Sequence, residues 1–358
     1  MRFPEFEGEW EKKRLEECVE FLDGLRKPIK SEDRKSEQGL YPYYGASGII
    51  DYIDGYIFDG EYILLSEDGA NIIDRNYRVA FLAKGKIWVN NHAHVLQPYD
   101  GFDINFLSET LERLNYAVYN TGTTMPKLNQ EVCRNINLKI PTTKEQNKIG
   151  NLLSLLNKRI ATQNKIIEDL KKLKSAISKK LLCNDKWTTY KIQDIAEIGR
   201  GRVISSVEID RQKHPLYPVY SSQTSNNGIM GYLDNYMFDG EYITWTTDGA
   251  NAGTVFYRKG KFNCTNVCGT LKILPKFDCY FVSLVLQQAT QKYVSSNLAN
   301  PKLMNNTMAS IKIRMPNIET QKQLSKVFQT LDSCLLVHQR TCKMYLSEKQ
   351  YLLRQMFI

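Results

Sequence analysis

One series of segments occurs twice in this chain, in the same order, and no other feature restricts its fold as much. Asp54-Gly55-Tyr56-Ile57-Phe58-Asp59-Gly60-Glu61-Tyr62-Ile63 returns as Asp234-Asn235-Tyr236-Met237-Phe238-Asp239-Gly240-Glu241-Tyr242-Ile243, a shift of 180 residues. Asp68-Gly69-Ala70-Asn71 returns unchanged at the same shift as Asp248-Gly249-Ala250-Asn251. Leu40-Tyr41-Pro42-Tyr43-Tyr44 pairs with Leu216-Tyr217-Pro218-Val219-Tyr220 at a shift of 176, whereas Lys84-Gly85-Lys86 and Pro126-Lys127-Leu128 find Lys259-Gly260-Lys261 and Pro301-Lys302-Leu303 at 175. The second copy therefore gains four residues near Ser221 to Asn227 and loses five before the Lys-Gly-Lys segment. Length changes of this kind belong to loops, and an ordered series this long is the mark of a tandem duplication.

Each copy reads as a mixed α/β globule. Tyr62-Ile63-Leu64-Leu65 and Tyr242-Ile243-Thr244-Trp245 are rich in strand formers and end at Asp-Gly turns. Lys84-Gly85-Lys86 and Lys259-Gly260-Lys261 read as hairpin tips. Phe102 to Asn120 and Phe277 to Asn297 read as helical, with apolar spacing at Leu107, Leu111 and Leu114 and at Phe281, Leu284 and Val285.

After each globule, Ile140-Pro141 and Met315-Pro316 open a second matching pair. Thr142 with Glu145 three residues on forms a capping-box pattern, and Asn317 takes the cap position in the second copy. Ile149, Leu152, Leu156, Ile166, Leu170, Leu173 and Ile177 then make a heptad ladder, broken by Arg159 and Gln163. Because 175 is a multiple of seven, the second helix stays in frame with Leu324, Val327, Leu331, Cys334, Tyr345 and Leu352, while Phe328, Leu335 and Met356 lie one position along. Helices of some 35 residues would be about 50 Å long. The expected fold is α+β: target-binding globules at 1–140 and 184–315, separated by helices at 141–183 and 316–358. The helices pair as an antiparallel coiled coil in a pseudo-two-fold repeat, or else each packs on its own globule. Two like modules on one rod suit a ligand with its own repeat, such as duplex DNA.

Composition sets bounds on this reading. At 358 residues and 42% hydrophobic, the chain has room for two cores. Its net charge of +9 favours polyanions only weakly. The opening Met1-Arg2-Phe3-Pro4-Glu5 lacks the apolar core of a signal peptide, and no apolar run nears the ~20 residues of a membrane helix. Eight cysteines without a C-x-x-C fit reduced, buried thiols in a cytoplasmic protein. His92 and His94 share a strand face, but their partners Val267 and Gly269 preserve no metal site, so both read as structural. No catalytic residue or cofactor is expected. Gly199-Arg200-Gly201 lacks the third glycine of a cofactor loop and precedes a basic loop, and Asn300-Pro301-Lys302-Leu303 is not an Asn-Pro-Pro-Tyr methyltransferase motif.

Three loops in each copy carry residue types that read base edges and hold phosphates. Tyr44 to Ser47 corresponds to Tyr220 to Asn227, where Ser221, Ser222, Gln223 and Asn226 lie in an unbroken polar run. Ser66 to Asn71 corresponds to Thr246 to Asn251, offering Asn71, Thr247 and Asn251. Asn120 to Lys127 corresponds to Ser295 to Lys302, offering Thr121, Thr123 and Lys127 and then Ser296, Asn297 and Lys302. Plain turn chemistry accounts for the Asp-Gly-Ala-Asn loops as well as DNA contact does. Lys127 and Lys302, each between Pro and Leu, suit phosphate.

The wording of these segments resembles a known family over essentially the whole chain. Arg2-Phe3-Pro4-Glu5-Phe6 with Trp10, Tyr41-Pro42-Tyr43-Tyr44-Gly45-Ala46-Ser47-Gly48, Tyr217-Pro218-Val219-Tyr220-Ser221-Ser222-Gln223, both Phe-Asp-Gly-Glu-Tyr-Ile segments, both Asp-Gly-Ala-Asn loops and Thr123-Thr124-Met125-Pro126-Lys127-Leu128 resemble the specificity subunit of type I restriction–modification enzymes. The resemblance implies two target-recognition domains, each reading half of a split, asymmetric site in double-stranded DNA. It implies helices that set the half-site spacing and dock two methyltransferase subunits, with restriction (translocase–nuclease) subunits joining for cleavage. S-adenosylmethionine, and ATP with magnesium, would then sit on those partners, in the cytoplasm and away from any membrane. The other readings are a specificity subunit serving a fused methyltransferase–nuclease partner, a stand-alone enzyme, and a structural coiled-coil adaptor without a DNA role.

Overall fold

The structure is a computed structural model that describes residues 2–34, 39–182, 184–295 and 300–357. Two compact units divide inside the long helices: residues 1–164 with 340–358, and residues 165–339.

The first unit runs through β1 (Glu11–Arg14), β2 (Val19–Phe21), β3 (Tyr41–Gly45), β4 (Gly48–Ile53), β5 (Phe58–Ser66), α1 (Asn71–Asp74), β6 (Ala80–Val89), β7 (Ala93–Pro98), α2 (Ile104–Arg113), α3 (Gln130–Arg134) and β8 (Asn137–Ile140), then enters the long α4 (Thr143–Leu181). Six strands form one sheet in the order β2-β7-β5-β6-β3-β4, and β1 pairs with β8. Tyr62-Ile63-Leu64-Leu65 in β5 is buried throughout, because both sheet faces are covered. Ile63 and Leu65 pack on Phe106, Leu107 and Leu111 of α2, while Tyr62 and Leu64 join Phe58, Ile87 and Val95 on the other side.

The second unit follows the same order except that α5 is added and a turn replaces α1: β9 (Thr188–Lys191), β10 (Ala196–Arg200), α5 (Ser206–Asp210), β11 (Tyr217–Tyr220), β12 (Ile229–Leu233), β13 (Glu241–Thr246), β14 (Val255–Lys259), β15 (Asn263–Cys264), β16 (Cys268–Ile273), α6 (Cys279–Ala289), α7 (Asn305–Ser310), β17 (Lys312–Met315) and α8 (Ile318–Met356). Here the sheet is divided, as β10-β16-β13-β14 and β12-β11-β15. The fold is α+β with a two-domain repeat.

The Lys-Gly-Lys segments are not hairpin tips. Lys84-Gly85-Lys86 lies inside β6, where Gly85 faces Gly60 across the ladder with a left-handed φ of 79°. In the second unit Gly260 separates β14 from β15, and the ladder resumes at the Phe238–Phe262 bridge. A glycine with reversed φ kinks a paired strand without ending it. The helix expected over Phe102 to Asn120 stops at Arg113, and a separate 3-10 turn, Tyr116–Tyr119, is capped by Asn115.

The long helices start alike. Asp103 and Asp278 cap α2 and α6 by accepting from Phe106 and Phe281. The backbone N–H groups of these two caps donate to Gln146 and Gln321, whose own amides donate to the carbonyls of Pro141 and Pro316. Gly150 belongs to this joint: a Cβ there would collide with the Asp103 carboxylate, whereas Ser325 at the matching position donates to Asp278 at 2.5 Å. The expected capping box forms only in part. Thr142 Oγ1 accepts from the Glu145 N–H at 3.4 Å, but the Glu145 carboxylate turns away to a bidentate pair with Arg2 at 2.7 and 2.6 Å.

In the first unit the α4 and α8 segments run antiparallel. There Asn157 meets Lys349 and Asn164 meets Cys342, so one number rises as the other falls; Arg159 lies over Tyr345. In the second, Lys174 pairs with Asp332. One row of the expected ladder needs correcting. Leu173 and Val327 are 48% and 45% exposed. The inward row lies one position along, through Leu153, Ile160, Ile167 and Lys174 in α4 and through Phe328, Leu335, Cys342, Lys349 and Met356 in α8. Rows spaced three-four and four-three share one heptad, and packing on α2 and α6 selects between them. Ile149, Leu156, Ile166, Leu170, Ile177, Leu324, Leu331, Tyr345, Leu352 and Leu152 are buried or half-buried.

Candidate nucleic-acid interface

The three polar loops of each unit come together at the ends of their strands. In the first unit, Gly69 N–H donates to Pro126 at 3.0 Å and Leu128 N–H to Glu67 at 2.7 Å, with an Asp68–Lys127 bridge between them. Ser66 Oγ donates to the Ala46 carbonyl at 2.5 Å, which brings in the β3–β4 turn. The second unit repeats the zipper: Gly249 to Pro301 at 3.0 Å, Leu303 to Thr247 at 2.9 Å, and a bridge between Asp248 and Lys302. There Asn251 Nδ2 reaches the Ser222 carbonyl at 3.5 Å.

The candidate residues divide by what already occupies them. Ser47, Thr121 and Thr123 are exposed, as is Asn226, while Tyr44, Tyr220, Ser221, Ser222 and Gln223 are half-buried. Thr121 donates through both N–H and hydroxyl to the Lys127 carbonyl, closing its loop. The Gln223 amide donates to Ile229. Ser296 and Asn297 lie outside the described residues. Asn71 departs from the expectation, because both ends of its amide clip Tyr77, at 2.8 and 3.0 Å. So does Thr247, which is fully buried and accepts from Arg200 Nη2 at 3.1 Å. Their residue types suit base edges, but the turns use them internally.

Charge separates the two units. Lys127 Nζ lies 3.4 Å from Glu67, which also holds Arg26 at 2.7 Å. Glu67, Asp23 and His94 have ligand atoms within 4.8 Å of one another. The Arg26 guanidinium and the His94 ring answer these carboxylates, and His94 Nε2 contacts the Leu128 carbonyl at 2.8 Å. Burial pulls the His94 pKa down, but the Asp23 carboxylate and the neighbouring Cys133 together more than reverse it, raising it to about 10. His92 contacts Asp68 at 2.8 Å. Both histidines are thus held by carboxylates. In the second unit Thr247 takes the place of Glu67 and Gly269 that of His94. Arg200, at the end of β10, is exposed, and among the described residues its hydrogen bonds go to neutral partners, Thr247 and the Asn266 carbonyl. Lys302 has no ion pair among the described residues. In the sequence Arg200 stands in the Gly199-Arg200-Gly201 segment, and the basic loop that follows is the local signal for it.

Six described cysteines are buried and Cys334 is exposed, all as free thiols. No described helix is long and apolar enough to cross a membrane.

The family model for the type I restriction modification DNA specificity domain matches residues 7–172 and again 184–343. A Mycoplasma pneumoniae protein, provisionally named a type I specificity subunit, is 36% identical over 215 residues, 58% of this chain and 80% of the relative. The type I restriction enzyme MpnII specificity subunit of the same organism is 42% identical over 145 residues, 40% of this chain and 43% of that one. The crystal structure of the S subunit of a type I restriction–modification system from M. genitalium superposes with a TM-score of 0.81 at 17% identity, covering 100% of this chain and 99% of that one.

Proposed function

The chain belongs to the type I restriction–modification DNA specificity family, as a DNA-recognition subunit, and on that premise we propose that each unit reads one half of a split, asymmetric site in double-stranded DNA. The supporting observation is the three-loop cluster, built on the same backbone hydrogen bonds in both units but differing between them in the length and content of the Tyr220 to Asn227 loop. A shared scaffold with divergent polar tips suits two readers of different sequences. Ser47 and Thr123 in the first unit, and Ser221, Ser222 and Asn226 in the second, are the base-reading candidates, while Thr121 and Gln223 already bond within their loops. Lys127, Lys302 and Arg200 are the phosphate candidates.

The chain would supply recognition rather than catalysis. Methyl transfer would belong to two methyltransferase subunits docked on the α4 and α8 surfaces, and cleavage to restriction subunits. The experiment is methylation mapping in cells that carry the chain with its methyltransferase, before and after residues 1–140 are exchanged for those of another family member. A bipartite site of which one half changes is the expected result. A change in both halves would defeat the two-reader assignment.

A further inference from the structure

Arg258 is only 4% exposed, yet among the described residues its hydrogen bonds go to neutral oxygens: Thr244 Oγ1 at 3.2 Å and the Asn227 carbonyl at 2.9 Å. Its guanidinium sits between two rings, 3.5 Å from the centre of Tyr220 and 4.4 Å from that of Phe256. A buried cation without a carboxylate is costly, and cation–π contact offsets part of that cost. The first unit builds the same place without a cation. Ala83 stands opposite Tyr62 in the register that sets Arg258 opposite Tyr242. With no guanidinium between them, Tyr44 and Phe81 stack directly, with centroids 6.2 Å apart.

The cation accompanies the four extra residues of the second copy. Their loop turns back through three consecutive left-handed residues, Asn226 at φ 48°, Asn227 at 54° and Gly228 at 82°. Two of these are asparagines, which enter this region more readily than other residues with a side chain but less freely than glycine, so an outside contact steadies the turn. Arg258 supplies it through the Asn227 carbonyl, with Nη2 lying against Gly228, where a Cβ would stand 3.1 Å away. Thr224 to Asn227, displayed by the turn, are exposed.

We propose that Arg258 is a positioning residue that fixes the Ser221–Gly228 loop and so sets the DNA sequence preference of the second unit alone. This rests on the DNA-reading assignment above. The test uses the chain assembled with its methyltransferase and a pool of randomised DNA duplexes, with the bound fraction sequenced for wild type, Arg258→Met and Arg258→Lys. The Met variant should lose tenfold or more of its base discrimination across one half-site, leaving the other half and the weak binding to unrelated DNA unchanged. The Lys variant, which keeps the charge but not the two-point reach, should fall between. Circular dichroism checks the fold. A folded Met variant with both halves as sharp as wild type, or with both blurred, overturns the proposal. If the Met variant does not fold, the Lys variant decides on the same criterion; if neither folds, Arg258 serves the core and the proposal fails. A wild-type complex that enriches no sequence removes the DNA-reading assignment, and this inference with it.

Discussion

The Lys349 ammonium lies 3.0 Å from the Glu109 carboxylate, although 240 residues separate the two in the chain. Glu109 is 3% exposed and also receives Arg78 and the Asn157 amide. Burial alone would raise the Glu109 carboxyl; Arg78 and Lys349 hold it below the usual range. This cluster joins α2, α4 and α8 in the first unit.

Removing one partner of such a cluster leaves a buried charge unanswered. Glu109→Leu should destabilise the chain by about 3–5 kcal/mol, and adding Lys349→Met should recover a large part of that loss. Urea denaturation of both variants measures the difference. A double variant no more stable than the single would show that Lys349 contributes nothing through its charge.

Phe357 follows α8 and stacks on Phe106, with centroids 5.4 Å apart and planes 9° from parallel, beside Trp10 at 5.9 Å. Phe357→Ala should cost about 3 kcal/mol. The urea midpoint reads this loss directly; an unchanged midpoint would mean that the stack is not formed in solution.

The His94–Asp23 pair makes stability depend on pH. His94 has a folded pKa of about 10 against its ordinary 6.5, so its contribution is complete below pH 6.5 and is lost as pH rises toward 10. For Asp23, burial raises the carboxyl, but His94, the Val95 N–H and Arg26 bring it below its ordinary 3.8. Its contribution is therefore complete above pH 3.8 and disappears as pH falls further. The melting temperature should decline on both sides of that interval, and His94→Gln should flatten the alkaline decline. An alkaline limb identical to wild type would count against the pair.

Lys127 and Lys302 should differ in salt dependence. Lys302→Ala in the assembled complex should flatten the dependence of DNA affinity on salt by about one unit of slope. Lys127→Ala should change it less, because Glu67 already faces that ammonium at 3.4 Å. Equal effects would mean that Glu67 swings away on binding.

The duplication, the Asp-Gly turns, the helix starts at Thr142 and Asn317 and the heptad length of the helices are local or periodic properties, and the sequence by itself determined them. A repeat states each local interaction twice, at a fixed shift that can be checked along the chain. What only the tertiary structure decided was partnership. Heptad spacing leaves two possible inward rows, and packing on α2 and α6 chose the one through Phe328 and Lys349 over that through Val327. Asn71 and Thr247 are of the residue types that read bases, but Tyr77 and Arg200 already occupy them. Arg258 in the sequence is one basic residue among 48; its burial between Tyr220 and Phe256 follows from strand register. Such pairings depend on which distant atoms the folded chain brings within 3 Å, and neither composition nor local spacing records that.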